Sequence, residues 1–229
     1  MKALVTGFEP FGGEAVNPAQ RVVERLEARL GDIAIATRIL PVAFERAPPL
    51  LEAAIVEAKP DLVLCLGAAG GRAELSLERV AINLADARIP DNDGHRPIDR
   101  PVAADGPAAY FATLPIKEAA AALRDAGLPA AVSLSAGTFV CNRVFYGLLH
   151  FAARRRPALI GGFLHLPYLP EQAARHPGAP SMALADMIRG VAVVLRAAAD
   201  ARSRPAPRRD LEPPPGACYH EASGRREGG

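Results

Sequence analysis

Short apolar runs alternate with stretches of helical period along the first 201 residues of the chain. Six segments have the apolar or alternating pattern of strands that are buried in a sheet: residues 2–6, 33–40, 61–66, 75–84, 130–134 and 159–165. Five segments between them repeat apolar residues at the spacing of a helix face: residues 18–30, 48–55, 115–126, 141–154 and 181–201. Asn17 and Pro18 are typical of a helix start, and Gly31 is expected to end that first helix.

Strands that alternate with helices predict a mostly parallel sheet that is covered on both faces. We therefore expect one α/β domain over residues 1–201, a three-layer α/β/α sandwich with a central, twisted and mostly parallel sheet. Residues 202–229 carry five prolines among arginine, glycine and glutamate, a composition that predicts a disordered tail. No internal repeat and no interdomain linker interrupts the first 201 residues.

The composition excludes several classes of protein. Half of the 229 residues are hydrophobic, which rules out disorder for most of the chain. The 27 Lys and Arg residues nearly balance the 25 Asp and Glu residues, so no overall field favours nucleic acid or an anionic membrane. No apolar segment fits a signal peptide or reaches the roughly 20 residues of a membrane span. Three cysteines are too few for a disulfide framework, so we expect a cytoplasmic protein with reduced thiols.

Cys141 follows the predicted strand 130–134 and opens the predicted helix 141–154. In open α/β sheets, functional crevices lie at the carboxyl ends of the strands. The free N–H groups and the positive pole of a helix N-terminus favour a thiolate and can hold an oxyanion. Cys141 is therefore a candidate nucleophile, and a small buried hydrophobe is the alternative interpretation. Cys65 lies inside an apolar strand and Cys218 lies in the tail, so neither is a candidate.

A thiolate nucleophile needs a base that can later protonate a leaving amine, and histidine titrates in the right range. Of the five histidines, His165 ends the predicted strand that directly follows the Cys141 helix. If the two strands that flank this helix form a parallel βαβ unit, their carboxyl ends are neighbours. His165 is then the best partner for Cys141, with a hydrogen-bonded core histidine as the competing interpretation.

A carboxylate that orients the imidazole would complete such a site. Spacing does not choose among five candidates: Glu78, Asp86, Asp91, Asp93 and Glu171. Glu78 is attractive because it lies in an otherwise apolar segment, where an unpaired charge is costly. An ion pair with Arg72 or Arg79 at a strand end is the alternative explanation of this glutamate.

Six motifs occur in order and at fitting distances over residues 1 to about 200. They are Gly7-Phe-Glu-Pro-Phe-Gly-Gly13, Ala69-Gly-Gly-Arg72, Glu78-Arg-Val-Ala-Ile-Asn83, Ala87-Arg-Ile-Pro-Asp-Asn92 with Gly94, Ala136-Gly-Thr-Phe-Val-Cys-Asn142 and Gly162-Phe-Leu-His-Leu-Pro-Tyr-Leu-Pro-Glu-Gln172. In this combination the chain resembles the pyroglutamyl peptidase I (pyrrolidone-carboxylate peptidase) family of cysteine peptidases. One departure is Ala68, a position at which family members often have glutamine.

The resemblance implies a triad of Cys141, His165 and Glu78, and so selects Glu78 among the carboxylates. It also implies an α/β/α fold, usually assembled as a homotetramer, that uses no metal and no cofactor. The implied reaction removes an N-terminal pyroglutamyl (5-oxoproline) residue from a peptide through a thioester acyl-enzyme intermediate. Peptides with that blocked N-terminus are the implied substrates.

The resemblance further implies which residues surround the substrate. Phe8 and Phe11 match family positions that sandwich the lactam ring, and we expect Phe139 and Val140 to extend that wall. Arg88 matches a family arginine near the site, and we expect it to hold the oxyanion or to position the substrate. Without the family, Phe8 and Phe11 are an aromatic pair of the core, and Arg88 is a partner in a loop salt bridge.

Three alternative functions stay open at the level of sequence. A glutamine amidohydrolase with a Cys–His–acid set would need a polar pocket, and the phenylalanines within residues 7–13 argue against one. A phosphate- or nucleotide-binding module would use Gly12-Gly13 or Gly70-Gly71, but neither pair fits a dinucleotide or P-loop motif. A catalytically inactive relative is the third alternative, and the presence of all three triad residues argues against it.

Overall fold

The computed structural model describes residues 1–204. The strands within them are β1 Lys2–Phe8, β2 Arg29–Leu30, β3 Ile33–Leu40, β4 Leu62–Ala68, β5 Leu75–Glu78, β6 Val80–Ile82, β7 Ala109–Phe111, β8 Ala130–Ser133 and β9 Ile160–Leu166. The helices are α1 Pro18–Val23, α2 Ala47–Ala58, α3 Ile116–Asp125, α4 Val140–Arg155, α5 Pro170–Ala173 and α6 Leu184–Ser203. Helix α6 thus runs two residues past the predicted domain end, and the predicted tail from residue 205 onwards lies outside the described residues.

Seven strands form one sheet in the order β2-β3-β1-β4-β9-β5-β8. Strands β3, β1, β4 and β9 run parallel to one another, whereas β2 is antiparallel to β3 and β5 is antiparallel to β9. At the far edge, β8 is parallel to β5. Strands β6 and β7 form a separate antiparallel pair. The main sheet is therefore mostly parallel, as predicted.

Alternation along the strands divides the core into two apolar layers. Leu62, Leu64 and Leu66 of β4 point to the face of the sheet on which α1, α3 and α6 pack. Val63 and Cys65 point to the opposite face, which α2 and α4 cover. The result is a three-layer α/β/α sandwich, so the predicted fold class is confirmed. Among residues 1–204, no helix combines the length and the hydropathy that a membrane span requires.

The first helix is shorter than its sequence pattern predicted. Asn17 caps α1, since its side-chain oxygen accepts a hydrogen bond from Ala19 N at 3.0 Å. The helix ends at Val23, and residues 29–30 pair with β3 as a short antiparallel hairpin. Gly31, with a φ of 58°, makes the turn of that hairpin instead of ending the helix.

Residues 75–84 do not form the single strand that their alternation predicted. The chain bends at Arg79 into β5, which joins the main sheet, and β6, which pairs with β7. A hydrogen bond from Arg79 N to the Ser133 carbonyl ends the pairing of β5 with β8. Glu78 therefore lies at the carboxyl end of a short, fully buried strand. Strand β7 and helix α5 have no counterpart in the sequence prediction, because neither is long enough to display a period.

Candidate active site

Two residues of the predicted triad are neighbours on the sheet face that α2 and α4 cover. His165 in β9 is the register partner of Gly67 in β4 and of Ser76 in β5. Glu78 lies two residues beyond Ser76, and therefore on the same face of β5. This diagonal places His165 Nδ1 2.7 Å from Glu78 Oε1. Both side chains are buried, so the contact holds the ring with Nδ1 toward the carboxylate and Nε2 on the opposite edge.

Glu78 has a second partner. Arg72, in the turn after β4, donates from Nη1 to the same Oε1 atom at 2.7 Å and from Nη2 to the Ser135 carbonyl at 3.3 Å. The two interpretations of Glu78, an imidazole partner and an ion pair with Arg72, are thus both present in the structure. Among residues 1–204, Arg79 makes no ion pair with Glu78. The other carboxylate oxygen, Oε2, is buried and has no hydrogen-bond partner within this described part of the chain.

Cys141 is the second residue of α4, and it is partly buried. The first helical hydrogen bond of α4 runs from Arg143 N to the Phe139 carbonyl, so the N–H groups of residues 140–142 have no acceptor within the helix. Phe139, the N-cap residue, has no side-chain oxygen with which to cap them. Together with the positive pole of the helix, these N–H groups form a site for a negatively charged oxygen next to the sulfur.

Asn142 ties this end of α4 to the neighbouring loop. Its Oδ1 accepts a hydrogen bond from Ile82 N at 3.0 Å, and its Nδ2 donates to the carbonyls of Ile82 and Leu84 at 2.9 Å each. The segment that leads to Arg88 is thereby fixed to the residue next to Cys141. Sequence reasoning missed this role of Asn142, for which the one available signal was an amide at the start of an otherwise apolar helix face.

Glycine at position 67 allows the sulfur to lie against the sheet. A Cβ atom on Gly67 would be 3.0 Å from Cys141 Sγ and 2.8 Å from the Phe163 ring, closer than such atoms normally pack. Because Gly67 is the register partner of His165, the sulfur lies against the strand position beside the imidazole. Cys141 and His165 also line the same cavity. The structure therefore brings Cys141, His165 and Glu78 into one place.

Cys141 and His165 are not brought together by the parallel βαβ unit that the sequence suggested. Strands β8 and β9, on either side of α4 in the chain, are not neighbours, because β5 lies between them. Since β5 is parallel to β8 and antiparallel to β9, strands β8 and β9 run in opposite directions. The expectation of adjacent parallel strands is therefore wrong. Cys141 reaches the vicinity of His165 because α4 packs across β4 and β9 on one face of the sheet.

A cavity of about 390 Å³ opens in front of Cys141 and His165. This volume suits a small ring with a short extension. Its wall combines apolar and charged side chains, among them Phe11, Ile89, Ala136, Phe139, Arg72, Asp86 and Arg88. Two larger cavities, of about 640 and 580 Å³, contain none of the residues that the sequence nominated for the site.

The residues predicted to bind substrate divide into two groups. Phe11, Phe139 and Arg88 lie on the wall of the cavity. Phe8 and Val140 are only 2% and 1% exposed, and both pack in the hydrophobic core. Phe8 is covered because it ends a strand that is buried on both faces, and Val140 is covered because it faces the core side of α4. These two side chains support the site from behind and do not form the cavity surface.

Asp91, another of the candidate carboxylates, has a different role. It is buried and accepts hydrogen bonds from the N–H groups of Phe44, Asp93 and His95, so it organises the loop around it. Phe44, which the sequence did not single out, packs edge-on against Phe139 with 5.3 Å between the ring centroids. Asp91 thus stabilises the cavity wall. Within residues 1–204, no three His, Cys, Asp or Glu side chains cluster as metal ligands would.

Burial sets the charge state of the free site. It lowers the pKa of His165, and this effect outweighs the hydrogen bond and the charge of Glu78, which favour the imidazolium. Burial also raises the pKa of the Cys141 thiol to about 12, and the negative charge of Glu78 adds to that rise. Burial pushes the pKa of Glu78 upward, but the hydrogen bond and charge of His165, followed by smaller contributions that include the hydrogen bond of Arg72, bring it below its ordinary value.

The resting site therefore holds a neutral thiol, a neutral imidazole and a carboxylate. The sequence led us to expect that the pole of the helix would favour a thiolate at Cys141. In the structure, desolvation of the sulfur outweighs that effect. A nucleophilic reaction of Cys141 then requires a base that removes the thiol proton during the attack, not before it.

The raised thiol pKa has a measurable consequence for alkylation. In a protein with Cys218 changed to alanine, the rate at which iodoacetamide modifies Cys141 is expected to increase about tenfold per unit between about pH 6 and 9, because the thiolate fraction does. Mass spectrometry of the modified protein measures the rate, and fully buried Cys65 is the internal control that stays unmodified. A rate that is constant over this range would reveal a preformed thiolate–imidazolium pair and contradict the neutral resting state.

Comparison with known proteins gives matches over most of the chain. A family model described as pyroglutamyl peptidase matches residues 1–201. A pyrrolidone-carboxylate peptidase of Erwinia tasmaniensis is 59% identical over 188 residues, which are 82% of this chain and 87% of the relative. The pyrrolidone-carboxylate peptidase of Brevibacillus brevis is 51% identical over 193 residues, which are 84% of this chain and 90% of the relative.

Solved structures match the fold to a similar extent. The crystal structure of pyroglutamyl peptidase I from Bacillus amyloliquefaciens has a TM-score of 0.84 and 45% sequence identity, and the match covers 86% of this chain and 94% of that one. A variant of pyrrolidone carboxyl peptidase from the hyperthermophile Pyrococcus furiosus has a TM-score of 0.85 and 43% identity, with coverage of 88% and 99%. Sequence and fold agree, and the chain belongs to the pyroglutamyl peptidase family.

Proposed function

We propose that this protein is a cysteine peptidase that removes an N-terminal pyroglutamyl residue from peptides. Membership of the family supports the class of reaction. The observation that carries the proposal is the 2.7 Å contact between His165 and Glu78, together with the cavity that His165 shares with Cys141 at the N-terminus of α4. In this proposal Cys141 is the nucleophile, His165 acts as base and then as acid, and Glu78 orients the imidazole.

The first half of the proposed reaction forms a thioester. His165 Nε2 takes the proton of the Cys141 thiol while the sulfur attacks the carbonyl carbon that joins the pyroglutamyl group to the next residue. Glu78 stabilises the resulting imidazolium through Nδ1. The carbonyl oxygen becomes negative and accepts hydrogen bonds from the free N–H groups at the start of α4, with the positive charge of Arg88 nearby. The imidazolium then protonates the leaving amine as the C–N bond breaks.

The second half of the reaction releases pyroglutamate. A water molecule takes the place of the amine, and His165 accepts one of its protons while the oxygen attacks the thioester carbonyl. The same N–H groups hold the second oxyanion. As the C–S bond breaks, the imidazolium returns a proton to the sulfur. Cys141 and His165 are then neutral again, as they were at rest.

The cavity suits the blocked end of such a peptide. A pyroglutamyl ring is an uncharged lactam, so its pocket needs apolar walls and no carboxylate to pair with an ammonium group. Phe11, Ile89 and Phe139 supply such walls, and the buried side chains of Phe8 and Val140 support them from the core. We propose that Phe11 and Phe139 contact the lactam ring, and that Arg88 positions the substrate or stabilises the oxyanion.

We also propose that the protein works in the cytoplasm as a homotetramer, without a metal, a cofactor, nucleic acid or a membrane. The family resemblance supports the assembly. The net charge of only +2 supports the absence of polyanionic partners, and the low cysteine content supports a reducing compartment.

The activity is tested with the purified full-length chain and pyroglutamyl-7-amido-4-methylcoumarin. We expect hydrolysis that iodoacetamide abolishes and that EDTA leaves unchanged, because the proposed chemistry uses a thiol and no metal. The matched control substrate is the prolyl derivative, which has the same ring size but carries a protonated secondary amine in place of the lactam, and it should be cleaved at least about 100-fold more slowly.

One result of the same experiment would favour the glutamine amidohydrolase. Asp86 and Arg88 line the cavity and are the kinds of group that bind the charged ends of a free amino acid. Release of ammonia from free glutamine, without hydrolysis of the pyroglutamyl substrate, would therefore contradict the proposed function.

A further inference from the structure

Arg72 connects buried Glu78 to the rim of the cavity. The arginine side chain is 34% exposed, whereas the Glu78 side chain is 0% exposed. The guanidinium donates to Glu78 Oε1 at 2.7 Å on one side and to the Ser135 carbonyl at 3.3 Å on the other. Two anchors hold the planar guanidinium in one orientation, which distinguishes it from a mobile ion pair on the surface.

Arg72 and His165 make contact with the same oxygen atom. His165 Nδ1 lies 2.7 Å from Glu78 Oε1, the atom that also accepts the hydrogen bond from Arg72. The charge of an arginine is permanent, so the carboxylate charge is partly compensated before the imidazole gains a proton. A positive charge this close also disfavours the imidazolium directly. Arg72 therefore opposes the effect of Glu78 on the protonation of His165.

The other charged or titratable groups near His165 come from β4, from α4 and from the cavity wall. They are Cys65, Cys141, Asp86 and Arg88. Both thiols are neutral, because burial raises the pKa of each to about 12. Asp86 and Arg88 are exposed, so solvent and salt screen their charges. The carboxylate of Glu78 and the guanidinium of Arg72 are thus the charges that govern His165 in the free protein.

We propose that Arg72 is a positioning residue that aims Glu78 at His165 and, together with burial of the ring, keeps the imidazole unprotonated until the Cys141 thiol gives up its proton. A general base has to be neutral to accept a proton, and the charge of Arg72 acts in the same direction as burial of the ring, against the carboxylate that favours the imidazolium. The catalytic part of this inference rests on the proposed peptidase function. The acid–base part concerns the free protein and does not depend on turnover.

The test is a pH titration of His165 by NMR in full-length protein labelled with 13C at histidine Cε1. In Arg72→Met and Arg72→Gln, the pKa of His165 is expected to rise by about one unit, because a positive charge beside the imidazolium is removed. Arg72→Lys keeps that charge and is expected to restore at least about half of the shift. The matched control is Arg46→Met, at an exposed arginine that pairs with Asp93 and does not line the cavity, and it should leave the pKa unchanged.

Kinetics of the same variants separate positioning from structural support. In Arg72→Met, the acid limb of kcat/KM is expected to move to higher pH by about one unit, and kcat to fall about tenfold with KM within about twofold. The partly exposed position of Arg72 favours folded variants, and a thermal melt checks this. A lowered melting temperature with an unchanged pH profile would assign Arg72 to stability alone and overturn the inference.

The NMR result decides the inference whether or not the protein is active. An unchanged His165 pKa in folded Arg72→Met and Arg72→Gln overturns it. If the unsubstituted protein does not cleave the pyroglutamyl substrate, the proposed function fails, but a raised His165 pKa in these variants still supports the effect of Arg72 on the imidazole.

Discussion

Changing Cys141 to serine is expected to lower kcat/KM for the pyroglutamyl-coumarin substrate by at least about 10⁴-fold without unfolding the protein. Serine has nearly the same shape, but its hydroxyl is far less acidic than a thiol and is a poorer nucleophile when His165 is the base. Fluorescence of the released coumarin measures the loss of activity. The fold is expected to persist, because Cys141 borders the cavity and is not part of the fully buried core.

Cys65→Ala is the matched control for this variant. Cys65 is fully buried in β4, on the same face as Gly67 and two residues before it, and the proposed mechanism gives it no chemical role. We expect kcat/KM within about threefold of the unsubstituted protein and a free energy of unfolding lowered by about 1 kcal/mol, because the lost sulfur leaves a small cavity. Retained activity in Cys141→Ser, or activity lost only in Cys65→Ala, would refute the choice of nucleophile.

The second large effect is expected for Glu78→Gln, which should lower kcat by about 10²- to 10³-fold. Arg72 and His165 both contact Oε1, so an amide oxygen can replace that atom and the orientation of the ring is kept. What disappears is the negative charge that stabilises the imidazolium during the reaction. Without it the pKa of His165 falls, so the acid limb of kcat/KM is expected to move to lower pH, opposite to the shift in Arg72→Met.

Stability provides a second measurement for Glu78→Gln. The pKa of Glu78 is lowered in the folded protein, so its ionised form contributes stability above the pKa of the unfolded chain. That contribution is lost as the pH falls through the folded-state pKa. In urea unfolding, Glu78→Gln is therefore expected to have a lower free energy of unfolding than the unsubstituted protein at neutral pH. This difference is expected to shrink in acid. The control is Glu57→Gln, at a glutamate that is 74% exposed and pairs with Arg38, and it should change neither activity nor this pH dependence.

One outcome would contradict this role of Glu78. A shift of the acid limb to higher pH in Glu78→Gln would mean that the carboxylate disfavours the imidazolium. The proposed mechanism would then lack the group that stabilises the protonated ring.

The elements that sequence reasoning located well are those with a long or unbroken hydrophobic pattern. Strand β4 was predicted over 61–66 and occupies Leu62–Ala68, because an apolar run of this kind can only be buried within a sheet. Helix α4 was predicted over 141–154 and occupies Val140–Arg155, because its apolar positions repeat over four turns. Residues 29–30 were predicted to be helical but form strand β2, because pairing with β3 outweighed their helical spacing.

The site could be nominated from the sequence only in part. Cys141 and His165 could be singled out, because the position of a cysteine after a strand and of a histidine at a strand end is visible in a local pattern. Glu78 was selected by the family resemblance, since spacing left five carboxylates open. The shared contact of Glu78 with Arg72 and the burial of Phe8 were not predictable, because each depends on elements that are distant in the chain.

Most strands and helices of the core, the layered architecture and the reactive residue types at the ends of the elements were predictable from local sequence patterns. Hydrophobic period and turn chemistry act over a few residues, so they can be read along the chain. The position of β5 between β8 and β9, the contact of the sulfur with Gly67 and the raised pKa of the thiol became evident from the folded chain. Strand order, close approach and desolvation arise between groups that are far apart in the sequence and meet only when the chain is packed.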